Sequence, residues 1–150
     1  GLMGIKTIGC DINKIMANGC KQNLKHYNIK KYKIKTKNAL DIDDKFDYAV
    51  TDLPYGLNSN IYLEYNKKSI NEKSNKINLK SNKKGAIENL EKFYLKFLKN
   101  LRKILKKKAI VIFPSYVDYN RLLKKSKFKI KKEFEIYVHR NLTRKIVKIG

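Results

Sequence analysis

The run Asp47-Tyr48-Ala49-Val50-Thr51-Asp52-Leu53-Pro54-Tyr55-Gly56 holds the residues best suited to chemistry. A short β-prone stretch leads into the carboxylate of Asp52, and Pro54, Tyr55 and Gly56 then fix a tight turn. In an open α/β sheet the ligand lies beyond the carboxyl ends of the strands, so a carboxylate and an aromatic ring at such an end are placed to meet it. Asp11 is a second acid in the same setting, closing the β-prone run Ile5-Lys6-Thr7-Ile8-Gly9-Cys10-Asp11-Ile12. Nucleotide-binding α/β folds place a carboxylate for ribose hydroxyls there, one strand after their phosphate or cofactor loop.

Metal chemistry has little to build on. Cys10 and Cys20 form no C-x-x-C, and His26 and His139 are far apart in the chain, which is too little for a zinc signature, so no metal is expected. The two thiols read as buried or half-buried free cysteines of a reducing compartment. The acidic loop from Asp41 to Asp47 reads as a solvated turn rather than a cation site.

The elements that must position the two acids follow from periodicity. After the strand at 5–12, Ile15, Met16, Cys20, Leu24 and Tyr27 recur at helical spacing. Strands are expected at Tyr32–Thr36 and Tyr48–Thr51. Residues 57–84 are Asn, Lys and Ser with scattered apolar residues and no period, the composition of a mobile insertion at about 57–85. Ile87, Leu90, Tyr94, Phe97, Leu98, Leu101, Ile104 and Leu105 trace an amphipathic helix over 86–108 with a lysine-rich outer face. Ala109-Ile110-Val111-Ile112-Phe113 reads as a strand buried on both faces, closed by Pro114. A short helix at Tyr119–Lys125 leads to a strand at Phe128–Val138, whose Ile130, Phe134, Ile136 and Val138 should share one face. Arg140-Asn141-Leu142 turns the chain into a last strand at Lys145–Ile149, giving an antiparallel hairpin. The alternation β-α-β-β-(insertion)-α-β-α-β-β specifies a doubly wound α/β sheet with an antiparallel finish.

The chain has 150 residues, enough for one domain, and 36 Lys and Arg against 13 Asp and Glu leave a formal net charge of +23. Such a field draws phosphate backbones or acidic membranes, so nucleic acid is the first partner to consider. The joint excess of Lys, Asn and Ile is also what an AT-rich coding sequence produces. The charge is unevenly placed: residues 1–56 hold 10 basic and 6 acidic side chains, and residues 57–150 hold 26 and 7. No apolar run approaches the roughly eighteen residues of a membrane span and no leader pattern opens the chain, so a cytoplasmic protein is expected.

Asp11 closing one strand, Asp52-Leu53-Pro54-Tyr55 closing a later one and the final hairpin together resemble an S-adenosylmethionine-dependent methyltransferase. The turn is similar to the Asp/Asn-Pro-Pro-Tyr motif of enzymes that methylate exocyclic base amines. With Gly1-Leu2-Met3-Gly4 through Gly9-Cys10-Asp11-Ile12, Thr51 to Gly56, and His139-Arg140-Asn141-Leu142-Thr143-Arg144, the chain resembles the catalytic domain of archaeal tRNA guanine-N2 methyltransferases over most of its length outside 57–85.

That resemblance implies a Rossmann-like fold, S-adenosylmethionine as cofactor, tRNA as partner, and methylation of the N2 amine of the guanine at tRNA position ten. On this reading Asp52 and the carbonyl of Leu53 accept hydrogen bonds from the amine, Pro54 shapes the turn, and Tyr55 stacks on the extruded base. Asp11 and Ile12 hold the cofactor ribose side, Asn38 and Ala39 lie beside its adenine, and Arg140 and Arg144 touch RNA phosphate. Three departures accompany the match. Leu53 replaces the first motif proline, and Asn38 stands where the family more often has an aspartate. The family's first strand, its glycine-rich loop and its RNA-binding domain would precede Gly1, which implies one partial methyltransferase domain over 1–150; a complete small α/β domain is the alternative. Two other functions stay open: methylation of an adenine N6 or cytosine N4 amine in DNA or RNA, and a basic RNA-binding module without chemistry.

Overall fold

A computed structural model of the chain describes residues 2–55, 83–140 and 142–150. The insertion expected at 57–85 lies outside the described residues as far as residue 82, as do Gly56 and Asn141. The elements are β1 (Thr7–Asp11), α1 (Lys14–His26), β2 (Tyr32–Thr36), β3 (Phe46–Asp52), α2 (Lys83–Ile104), β4 (Leu105–Pro114), α3 (Tyr119–Lys125), β5 (Ile130–His139) and β6 (Leu142–Ile149), with a 3-10 turn at Ala39–Asp41. Their order is the one that periodicity specifies. They divide into two compact units, residues 1–44 and 45–150.

In the first unit β1 and β2 pair in parallel, from Thr7 opposite Tyr32 to Asp11 opposite Thr36, with α1 as the crossover. Asn13 starts α1 by accepting the Ile15 N–H at 2.8 Å. The helix ends in a paired-bond cap: Asn28, at φ 53°, donates to the Lys25 carbonyl, and Ile29 donates to that of Leu24. The buried face of α1 is not the expected one. Ala17 is its buried residue, whereas Ile15, Met16 and Tyr27 are 61–78% exposed and the Cys20 thiol is exposed rather than half-buried. Spacing alone could not choose between the two stripes, because a two-stranded sheet covers only a narrow strip of helix. In the acidic loop Lys37 holds Asp43 at 2.8 Å and Lys35 holds Asp44 at 2.5 Å.

The second unit is a four-stranded sheet in the order β3-β4-β6-β5, parallel between β3 and β4 and antiparallel elsewhere. The parallel pair is joined through α2, as parallel neighbours require. Helix α2 ends four residues before the expected point. Leu105 pairs with Phe46 and Lys108 with Tyr48, so ladder bonds to β3 take the lysine run out of the helix. β4 is buried on one face only: Ala109, Val111 and Phe113 are at most 2% exposed, whereas Ile110 is 37% exposed. The Phe113 ring meets Tyr94 of α2 at 5.7 Å and stacks on Tyr119 of α3 at 5.4 Å, so both helices lie on that one face. Val50, opposite Ile110, is 76% exposed on the other.

The hairpin corrects a further expectation. A register shift between Ile130 and Lys132 leaves Ile130 opposite buried Ile149 while Phe134 stands opposite Ile146, so the two no longer share a face. All of β5 is exposed, as the outer strand of this sheet. β6 starts at Leu142 instead of Lys145 because pairing continues to the hairpin end. Among the described residues no helix is long and apolar enough to cross a membrane.

Helix α3 closes with the same cap as α1. Lys127 N–H donates to the Lys124 carbonyl and Phe128 N–H to that of Leu123, with Leu123 and Phe128 both buried. The cap forces Lys127 to φ 59°, a conformation that disfavours any residue with a Cβ. Lys127→Gly should therefore stabilise the fold by about 0.5–1 kcal/mol in urea unfolding, once the greater unfolded-state freedom of glycine is subtracted.

Candidate functional site

Asp52 ends β3 opposite Ile112, and the Leu53 N–H extends the ladder to the Ile112 carbonyl at 3.4 Å. The Leu53 side chain is 4% exposed. These two facts explain how this chain does without the first motif proline: a proline there would lack the N–H and would leave part of a core pocket empty.

Backbone carbonyls of the next two residues are held by tyrosine hydroxyls. Tyr94, fully buried in α2, donates to the Pro54 carbonyl at 2.6 Å. Tyr116, in the turn after β4, donates to the Tyr55 carbonyl. The Tyr55 hydroxyl in turn donates to Asp52 Oδ1 at 2.6 Å. Burial pushes the phenols of Tyr55, Tyr94 and Tyr116 up from their ordinary value, with the hydrogen bond to Asp52 adding to the rise at Tyr55. All three thus serve as protonated donors at neutral pH. Sequence periodicity places Tyr94 in the core stripe without a role for its hydroxyl, and gives Tyr116 no role. The signal for Tyr116 was its place just past the carboxyl end of the strand beside β3.

Arg144 joins this turn from β6. Its register opposite Pro114 and Ile136 brings a guanidinium nitrogen to 3.9 Å from Asp52 Oδ2, with the guanidinium carbon 5.5 Å from the Tyr55 ring centroid. Arg140 lies in the exposed β5–β6 turn, apart from that cluster in the register. The structure thus gathers Asp52, Leu53, Pro54, Tyr55 and Arg144, and leaves Arg140 at the hairpin tip.

The first unit gathers the other candidates. Parallel pairing sets the ends of β1 and β2 side by side, and Lys37 N–H donates to the Asp11 carbonyl at 3.0 Å. Asp11 Oδ1 accepts the Asn13 N–H at 2.7 Å, and the residue is otherwise exposed, as is Ile12 beside it. Asn38 caps the 3-10 turn by accepting the Leu40 N–H at 3.0 Å, with Ala39 as the first residue of that turn. One carbonyl lone pair of Asn38 is used in the cap, and a second stays available to a ligand amine. Among the described residues no cluster of three His, Cys, Asp or Glu could hold a metal ion. A groove in the second unit, lined by Glu91, Leu95, Arg121 and Leu122 among others, includes no residue of the turn.

The hydroxyl braces give two expected outcomes. Tyr94→Phe leaves the Pro54 carbonyl without its donor and should cost about 1–2 kcal/mol in chemical denaturation. Folded-state phenol pKa values above the unfolded value of 10.0 mean that the braces contribute fully below pH 10 and are lost as the pH rises beyond it. The unfolding midpoint should accordingly fall between pH 10 and 12, and less steeply in Tyr94→Phe than in the parent chain.

Comparison with known proteins is consistent with this geometry. A family model described as an RMKL-like methyltransferase domain matches residues 3–62. The tRNA (guanine(10)-N2)-dimethyltransferase of Methanothermobacter thermautotrophicus is 31% identical over 150 residues, covering 97% of this chain. The chain spans only 37% of that protein's length. Among solved structures, TrmN from Thermus thermophilus superposes with a TM-score of 0.63 at 10% identity, covering 95% of this chain and 35% of that one. The Pyrococcus abyssi tRNA (uracil-54, C5)-methyltransferase, solved with S-adenosyl-L-homocysteine, gives 0.64 at 12% identity, covering 99% and 30%. These likenesses show the fold, a Rossmann-like methyltransferase sheet with an antiparallel finish. The probable tRNA (guanine(10)-N2)-dimethyltransferase of Methanothermococcus thermolithotrophicus is 32% identical, and the match covers 97% of this chain and 75% of that protein. At that identity and coverage, the chain belongs to the tRNA (guanine(10)-N2)-dimethyltransferase family.

Proposed function

We infer that this chain supplies catalytic residues for the S-adenosylmethionine-dependent methylation of a guanine N2 amine in tRNA, at position ten. The observation that carries the reading is the braced turn itself: a half-exposed Asp52 carboxylate beside backbone whose Pro54 and Tyr55 carbonyls are already held. An exocyclic guanine amine is a poor nucleophile because its lone pair is delocalised into the ring. Asp52 and the Leu53 carbonyl would accept its two N–H groups, localising the lone pair and favouring the positive charge that develops on nitrogen. Tyr55 would stack on the base once it has left its helix. A turn that drifted would lose both acceptors at once, which is what the Tyr94 and Tyr116 hydroxyls guard against.

The residues of the first unit suit a nucleoside-containing cofactor. An exposed carboxylate at the end of β1 matches a ribose diol, and Ile12, Ala39 and the spare lone pair of Asn38 match an adenine face and its amino group. Asp11, Ile12, Asn38 and Ala39 would hold S-adenosylmethionine, whose sulfonium supplies the methyl group. The net charge of +23, most of it in residues 57–150, and Arg140 at the exposed hairpin tip would attract the tRNA backbone, with binding that weakens steeply as salt rises. Capture of the tRNA would also use a segment beyond these residues, since the Methanothermobacter relative is much longer than the matched part. A tRNA substrate fits a cytoplasmic setting.

Asp52→Ala in the full-length protein should lower methylation about 100- to 1,000-fold. Stability should change by less than about 1 kcal/mol, because the side chain is 46% exposed. Full activity of this variant, or nucleoside analysis that finds methyl-adenine or methyl-cytosine in place of N2-methylguanine, would refute the reading.

A further inference from the structure

Arg144 and Arg140 flank the same hairpin turn, yet their surroundings differ. Asp52 pairs with Ile112 and Ile112 with Ile146, so Arg144, two residues from Ile146 on the same strand, projects on the face that carries Asp52. Its Nε is buried with no hydrogen-bond partner among the described residues. A freely solvated arginine would not leave that donor bare, so packing holds the side chain where it is. In a chain with 36 basic residues, Arg144 makes the ion pair that the structure gives to Asp52.

The division of labour on the carboxylate is specific. The Tyr55 hydroxyl bonds Oδ1 at 2.6 Å, and the Arg144 guanidinium faces Oδ2 from 3.9 Å. That second distance is too long for a hydrogen bond and short enough for Coulomb attraction, so Oδ2 is oriented while its lone pairs stay open to an incoming N–H. The guanidinium also lies 5.5 Å from the Tyr55 ring centroid, fixing the ring as well as the acid. A planar, delocalised guanidinium meets both from one rigid group, whereas a point-like ammonium on a flexible stem would hold neither in the same orientation.

We propose that Arg144 is a positioning residue of the methyl-transfer site, orienting Asp52 Oδ2 and the Tyr55 ring for the target base, and does not serve as a contact to tRNA phosphate. The proposal rests on the methyltransferase reading above. It assigns the two hairpin arginines to different tasks, Arg140 to the RNA backbone and Arg144 to the reacting centre.

The test is steady-state methylation of tRNA by the full-length protein, together with tRNA binding across a salt series, for R144A, R144K and R140A. R144A should lose about 100-fold in kcat at saturating tRNA. Its tRNA affinity should stay within about 2-fold of the parent and the salt slope should not move. R144K should recover little of the lost kcat. R140A should instead weaken binding and lower the salt slope by about one. A parent-like kcat in R144A with weaker, less salt-dependent binding would assign Arg144 to phosphate and overturn the proposal. An activity loss that only follows a lowered thermal midpoint would overturn it too. D52A run alongside separates the failures: inactive D52A beside fully active R144A sinks this inference alone, whereas active D52A removes the reaction reading beneath it.

Discussion

The hydrogen bond from Tyr94 to the Pro54 carbonyl ties α2, the longest helix among the described residues, to the most chemically equipped turn. Tyr94 is fully buried between α2 and the sheet, with its ring against Phe113. The hydroxyl therefore transmits the rigidity of the core to backbone that would otherwise be a half-exposed loop. Tyr116 does the same from the end of β4, and Arg144 from β6, so three elements of one sheet-and-helix unit converge on four residues. A family motif with two prolines stiffens such a turn covalently. This chain reaches a comparable restraint with one proline, an extra ladder bond at Leu53 and two phenols.

Local signals were enough for the order of elements and for the two acids at strand ends. Asp52 and Asp11 do close parallel strands, and Tyr55 does lie on the carboxylate side of its turn, because the β-prone runs before them and Pro54 after them act within a few residues. Burial was less legible. β4 reads as apolar throughout, but both helices pack against the face of Phe113, and only tertiary arrangement decides that Ile110 is left open. The α1 stripe and the shared face of Ile130 and Phe134 failed for the same reason: a two-stranded partner and one register shift each changed which side is covered.

The bracing contacts of the two tyrosines lay beyond any local pattern. Tyr94 and Tyr116 reach carbonyls 40 and 61 residues away in the chain, and nothing about a tyrosine in an apolar stripe announces where its hydroxyl points. Arg144 shows the converse limit. From sequence it is one basic residue among many beside a turn, and its pairing with Asp52 emerges only from the β4–β6 register.

The β3 flank of the larger sheet bears on the chain's behaviour in bulk solution. Among the described residues β3 pairs on one side only, and Tyr48 and Val50 on it are 65% and 76% exposed; a strand edge left in that state invites strand-to-strand aggregation. Two features counter it. Lys107 spans the Tyr48 ring and pairs with Asp47 at 3.6 Å, setting a charge directly on the edge. The net +23 then keeps neighbouring molecules apart by mutual repulsion, which added salt would screen within about 10 Å at 0.1 M. The surplus of lysine that suits a polyanionic partner thus also keeps copies of this chain apart, and the two roles compete, since a bound polyanion neutralises that repulsion.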